Sequence, residues 1–257
     1  MTRKTQFWAI MTLLLVSVFC TGAYAQKQTD KKPFQVTWLG HAAFEIISPG
    51  GTRILIDPWL KQNPQTPAVF KDLSRYHPAA ILVSHSHFDH SQDAVEIAQA
   101  SGAPVVSSGD WVEKLGLPEK QQLGCNIGGT IPIGDVTIHV VPAMHSSEPS
   151  GRPVGFVLTF SDGRSVYHTG DTWIFGDMAL IEELYHPVVI LQNVGGGYWG
   201  SEPKTAALGI KKYFKPEVIV PMHFGTLPPL AKEGDVRAAF LHDSRLIVMI
   251  PGETRSF

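Results

Sequence analysis

The stretch AAILVSHSHFDHSQDA, residues 79–94, empties an apolar run into three histidines and an aspartate within six positions. Only 11 of the 257 residues are histidine, which sets this cluster apart from a polar loop carrying a few solvated imidazoles. In HSHFDH a strand period of two puts His85 and His87 on one side of an extended segment, while Asp89 and His90 follow as the chain turns toward a helix. Imidazole and carboxylate at this density suit a divalent metal. Later segments supply partners in a consistent position. IHVVPAMH ends at His145, SVYHTGD at Asp171 and EVIVPMH at His223, each where an apolar strand gives out. A buried imidazole or carboxylate without a partner is costly, so this recurrence favours one shared site over three coincidences. The ligand arithmetic allows two ions. His85, His87 and His145 form one set and Asp89, His90 and His223 the other, with Asp171 able to bridge them.

Positioning these residues requires strands that end together. From Phe34 onward, short β-branched or apolar runs alternate with turn residues: FQVTWLG, RILIDP, AAILVS, VTIHVVPA, VGFVLTF, SVYHTG, PVVILQ, EVIVPMH and RLIVMI read as strands. Helical patterns fall at 92–100, 177–185, 203–213 and 229–241. Directly successive strands in the early half, with helices recurring throughout, predict two sheets sharing a core with helices outside. No linker or low-complexity tract divides 34–257, and the halves 34–145 and 146–257 show no repeated sequence.

The first 25 residues have a different character. Arg3 and Lys4 precede an apolar run at 7–19 that is followed by Ala23-Tyr24-Ala25, the pattern of a secretory signal cleaved before Gln26. The run is shorter than the ~20 residues a spanning helix needs, so no stable membrane anchor is expected. Phe19 before Cys20 is too bulky for lipoprotein processing. A polar leader, QKQTDKKP at 26–33, joins the signal to the folded part. The expected location is therefore periplasmic or secreted. Without the signal only Cys125 remains, so an internal disulfide is ruled out. Losing Arg3 and Lys4 and no acidic residue takes the net charge from −2 to −4. No block of Lys or Arg follows, which argues against nucleic acid as a partner and leaves a small-molecule substrate.

His85-Ser86-His87-Phe88-Asp89-His90, followed in order by His145, Asp171 and His223, resembles the H-x-H-x-D-H pattern of the metallo-β-lactamase superfamily over essentially all of 34–257. The phrases WLGHAAFEI, ILIDPW, YHTGDTWIF and VIVPMHFGT resemble its branch of metal-dependent hydrolases related to ascorbate-6-phosphate lactonase. The resemblance implies an α/β fold, a single-domain four-layer αββα sandwich with the metals at one edge between the sheets. Antibiotic-degrading members of one major class carry a cysteine at the bridging position. Asp171 stands there in this chain, which argues against that class.

The chemistry follows from the ions. Water held by zinc has its pKa lowered from ~15.7 to about 7, and the resulting metal-bound hydroxide attacks a carbonyl or phosphoryl group. Hydrolysis of an ester, lactone, amide or phosphodiester is the expected reaction. Zinc is the expected ion, and manganese or iron suits the same ligands. Two other readings are a phosphodiesterase or phospholipase-D-like hydrolase, for which only Arg53, Arg152, Arg164 and Lys204 lie near the motifs, and an exported metal carrier or sensor without turnover. A carrier saturates its metal, whereas a catalyst keeps a position open.

Other residues carry separate expectations. Asp89 would position the attacking water. His41 would sit beside the metals as a substrate or proton-transfer group, or serve as a core residue. Asp57 would orient a ligand histidine or close a turn. His168 would pack, and His77, His139, His186 and His242 would be surface or core residues. In NVGGGYWGSEP, 193–203, the glycines make a flexible backbone from which Tyr198 and Trp199 would line a pocket, with Trp59 and Phe224-Gly225-Thr226 as further wall candidates.

Overall fold

In RILI both faces of the strand are apolar, and the two faces serve different cores. Ile54 and Ile56 join one buried cluster and Leu55 the other, and Leu82 and Ile81 divide in the same way. That is the period of two in a sheet covered on both sides. The structure is a computed structural model and describes residues 31–257. The expected signal and most of the leader lie outside those residues, and Pro33–Phe257 forms one unit.

The strands are β1 (Gln35–Gly40), β2 (Ala43–Ile47), β3 (Arg53–Ile56), β4 (Ala80–Leu82), β5 (Val105–Ser108), β6 (Gln122–Cys125), β7 (Thr130–Ile133), β8 (Val136–Pro142), β9 (Val154–Phe160), β10 (Ser165–His168), β11 (Val189–Asn193), β12 (Val218–Met222) and β13 (Thr254–Ser256). The helices are α1 (Phe88–Ser91), α2 (Ala94–Ser101), α3 (Gly109–Val112), α4 (Met178–Tyr185), α5 (Pro203–Tyr213) and α6 (Glu233–Ala239). One sheet has seven strands in the order β13-β1-β2-β3-β4-β5-β6, and the other has six, β12-β11-β10-β9-β8-β7.

Each sheet joins an antiparallel part to a parallel part, β3 through β6 in the first and β10 through β12 in the second. Parallel neighbours need crossovers, and α2, α3, α4 and α5 fall in those connections. The larger core draws Trp38, Phe44 and Ile56 from one sheet and Phe156, Tyr167 and Ile190 from the other, and extends to Met178, Ile181 and Ile210 of α4 and α5. The smaller core packs Ile97 of α2 and Val112 of α3 on Leu55, Ile81 and Val105. These layers are the expected αββα sandwich.

Two expected elements differ. RLIVMI is no regular strand: it meets β12 through a single bridge, Ile219 to Leu246, and Asp243 ties its start by accepting from the Arg245 N–H through its carboxylate and from the Leu246 N–H through its carbonyl. The helix expected over 229–241 runs only over Glu233–Ala239, because the backbone of Ala231 bonds to Gly195 and Gly225 instead. Strands β2, β5, β6, β7 and β13 were not expected. β6 and β7 are sheet edges, where Pro132 is tolerated without its N–H.

Candidate metal centre

Strand ends deliver the cluster from both sheets. His85 follows β4, His87 caps α1, and the first turn of α1 carries Asp89 and His90. His145 follows β8, Asp171 follows β10, and His223 comes directly after β12. Asp57 ends β3, and His41 stands in the turn between β1 and β2. His41, Asp57 and His223 all have positive φ, at 55°, 46° and 66°. Such strain in residues with a Cβ persists where surrounding contacts over-determine it, typically at functional sites.

Asp171 is the centre of the arrangement. Its Oδ2 lies 2.9 Å from His223 Nε2, 3.2 Å from His90 Nε2, 3.7 Å from His145 Nε2 and 3.9 Å from His85 Nε2. His85 Nε2 faces His87 Nδ1 at 3.0 Å. Asp89 Oδ2 lies 3.1 Å from His41 Nε2 and 3.6 Å from His223 Nε2. Three groups of donor atoms, each within 4.8 Å of one another, result: His85, His87 and His145; His41, Asp89, His90 and His223; and His85, His90 and Asp171. The two expected sets are thus each assembled, Asp171 lies between them, and His41 joins the second.

Hydrogen bonds behind the cluster decide which ring nitrogens face it. The Ser84 backbone N–H and hydroxyl both donate to Asp57, at 2.6 and 2.7 Å, and His90 Nδ1 donates to Asp57 Oδ2 at 2.8 Å. With its proton so placed, Ser84 Oγ accepts from His85 Nδ1 at 2.9 Å. Thr226 Oγ1 donates to Gln65 Oε1 at 2.7 Å and so accepts from His41 Nδ1 at 2.9 Å. Each of these three imidazoles therefore carries a proton on Nδ1 and turns Nε2 inward. This is the usual way that partners outside a metal site fix a ligand's tautomer. Asn193 Nδ2 donates to Asp171 Oδ1 at 3.2 Å, leaving Oδ2 for the cluster. A Cβ on Gly195 would come within 2.5 Å of His223 Nδ1, so only glycine lets that ring take its place.

Charge and satisfaction favour a cation here. His90 Nε2 and His223 Nε2 are buried and make no aligned hydrogen bond, although Asp171 is near both. Burial favours the neutral form of His90, but the charges of Asp171, Asp57 and Asp89 prevail and hold its pKa well above the usual value. Burial opposes protonation of His223 too, yet Asp171 pushes it up to about 9. Burial opposes ionisation of Asp171, and His223 and His90 nevertheless hold it well below the usual carboxylate range. His41 goes the other way, lowered to about 3 by burial and then by His223. Two ionised carboxylates among inward-facing nitrogens attract positive charge. Divalent ions fit the same donors without leaving those nitrogens unpartnered.

A cavity of about 820 Å³ opens directly on the cluster, with His87, Asp89, His145, Asp171 and His223 in its wall. Tyr198 and Trp199 line it, 86% and 60% exposed. His41 is fully buried beneath Asp89 and does not line it; its inward Nε2 stands with the second donor group. Trp59 and Phe224 are not wall residues either. Trp59 is buried edge-on against His41, Phe224 stacks on Trp38, and Thr226 serves the Gln65 relay. His168 is a bonded core residue, with Nε2 donating to the Ala42 carbonyl at 3.0 Å. Asn193, Gln65 and Ser84 escaped the sequence reading. Asn193 ends an apolar strand as the ligands do, and that placement was an available signal. Gln65 lies in an irregular loop and gave none.

Two stacked sheets with a His/Asp cluster at the ends of their strands define the metallo-β-lactamase fold. The β-lactamase superfamily domain matches residues 35–223. A UPF0173 metal-dependent hydrolase of Anaeromyxobacter dehalogenans is 40% identical over 252 residues, covering 91% of this chain and 90% of that protein. Igni18, a metallo hydrolase from Ignicoccus hospitalis, is 36% identical with a TM-score of 0.77, covering 88% of this chain and 98% of that one. YhfI of Bacillus subtilis, a metallo-β-lactamase fold protein, shares the fold at a TM-score of 0.66 and 18% identity, over 88% of this chain and 100% of its own. The chain belongs to the UPF0173 metal-dependent hydrolases of the β-lactamase superfamily.

Proposed function

We propose that the protein hydrolyses an ester, lactone, amide or phosphodiester bond of a small molecule at two divalent ions, with zinc as the expected metal. The observation that carries this reading is Asp171 Oδ2, within 3.9 Å of His85, His90, His145 and His223 and facing an open cavity. His85, His87 and His145 would hold one ion and Asp89, His90 and His223 the other, with Asp171 shared. Such ions supply Lewis acidity and lower the pKa of a water molecule from ~15.7 to about 7. Burial alone would raise the pKa of Asp89, but His90, His223 and His41 hold it far below the carboxylate range. Asp89 reaches the cavity wall beside His223, where its carboxylate would accept a hydrogen bond that orients the attacking water. His41, neutral with its proton on Nδ1, would present a bare Nε2 to the second ion beside Asp89. The open wall supports a catalyst over a carrier.

Dialysis against a chelator should abolish hydrolysis of the reactive member of a panel of carboxylic esters, lactones, β-lactams and phosphodiesters, and zinc should restore it. Turnover unchanged by metal removal would contradict the reading. Export is part of the proposal and rests on the pattern at 1–25. Mass analysis of protein from its host should find Gln26 as the first residue, and an intact Met1 would exclude cleavage.

A further inference from the structure

Phe88, Met144, Trp173, Tyr198, Trp199 and Leu227 all line the cavity over the cluster, and all are exposed, from 38% for Leu227 to 86% for Tyr198. They are six of the 13 large apolar side chains exposed among the described residues, gathered on one wall. Single exposed apolar residues need no explanation, but a contiguous group around a cavity marks a binding surface. Four of them come from the segments that deliver the cluster. Phe88 lies between His87 and Asp89, Met144 precedes His145, Trp173 is two residues past Asp171, and Leu227 is four past His223. Tyr198 and Trp199 close the ring from the loop after β11, where Gly196 and Gly197 take positive φ of 63° and 62°.

The charges on this wall are as informative as its apolar groups. Among the described residues no lysine or arginine lines the cavity, and Glu148 adds a carboxylate outside the cluster. Of the cations near the motifs, Arg53 pairs with Glu45 at 2.7 Å and Arg164 with Asp162 at 2.7 Å. Lys204 opens onto a different cavity, which also holds Glu202 and Asp235. Phosphate recognition relies on Arg or Lys donors around the equatorial oxygens, and this wall offers none.

We infer that the substrate is an uncharged carboxylic ester or lactone with a medium-length alkyl or aryl substituent, which lies against the aromatic wall while its carbonyl reaches the cluster. This rests on the hydrolase reading and narrows it. The volume of about 820 Å³ lies in the range that encloses a drug-sized molecule.

The test pairs turnover with binding. p-Nitrophenyl esters from acetate to octanoate should show kcat/KM rising by about tenfold or more, each buried methylene adding apolar transfer energy, with bis(p-nitrophenyl) phosphate slower by about 10². In Trp199→Ala the octanoate-to-acetate ratio should fall toward unity, through KM more than kcat. Separately, nonan-2-one, which cannot be hydrolysed, should perturb the tryptophan fluorescence of Trp173 and Trp199 in the zinc-loaded protein and bind more tightly than butanone. Trp199→Ala should weaken that preference at unchanged circular dichroism. A flat chain-length profile, a preference for the phosphodiester, or equal affinity for the two ketones would overturn the inference. Tighter binding of the longer ketone without turnover of any ester would keep the apolar site and count against the hydrolase reading instead.

Discussion

Replacing Asp89 by asparagine is expected to slow hydrolysis of the best substrate by on the order of 10² or more at equal metal loading, equivalent to roughly 2.7 kcal/mol of transition-state stabilisation. Asp89 Oδ2 sits 3.1 Å from His41 Nε2 and 3.6 Å from His223 Nε2, and its side chain reaches the cavity wall. The amide keeps the shape of the side chain but removes its charge and one of its acceptor oxygens. His41 turns an inward Nε2 toward this group because Thr226 fixes its proton on Nδ1. The His85, His87 and His145 set lies outside that contact and should remain intact. Steady-state rates of the two proteins, each measured at a determined metal content, provide the check. Equal rates would remove Asp89 from the mechanism.

Asp171→Ala should have a larger effect on the metals than on the fold. Its carboxylate faces four imidazoles, and loss of one member of a buried charged arrangement costs about 3–5 kcal/mol, or roughly 10² to 10⁴ in affinity. Because the same oxygen adjoins both sets, the second ion should be lost first and hydrolysis should fall with it. The two cores contain neither Asp171 nor its partners, so the circular dichroism spectrum should be retained. Competition with a chromophoric chelator measures the affinity. Unchanged affinity would mean that Asp171 does not bridge the sets.

Much of this site is legible in the sequence because the ligands sit at one kind of place. Histidine or aspartate at the end of an apolar run is unusual enough to be noticed, and His85, His145, Asp171 and His223 all satisfy it. Two sheets with helices outside were legible in the directly successive strands of the early half and the helical patterns that recur throughout, and the four-layer order came from the resemblance. What was not legible depends on contacts far apart in the chain. His41 and Thr226 are separated by 185 residues, and only the folded protein shows that their bond turns Nε2 toward Asp89. The edge strands β6 and β7 lack a strong pattern because each has one partner and a half-exposed face, so pairing with a neighbour defines them. RLIVMI illustrates the opposite failure, since its composition suits a strand while the turn anchored by Asp243 allows it only one bridge.

Elemental analysis of the wild-type protein beside Asp171→Ala, both purified without chelator and then equilibrated with zinc, tests the central claim most directly. Seven candidate ligand side chains on strand ends and the first turn of α1, four of them imidazoles around one Asp171 oxygen, predict close to two ions per chain for the wild type and fewer for the variant. A content near zero in the wild type after reconstitution would contradict the account.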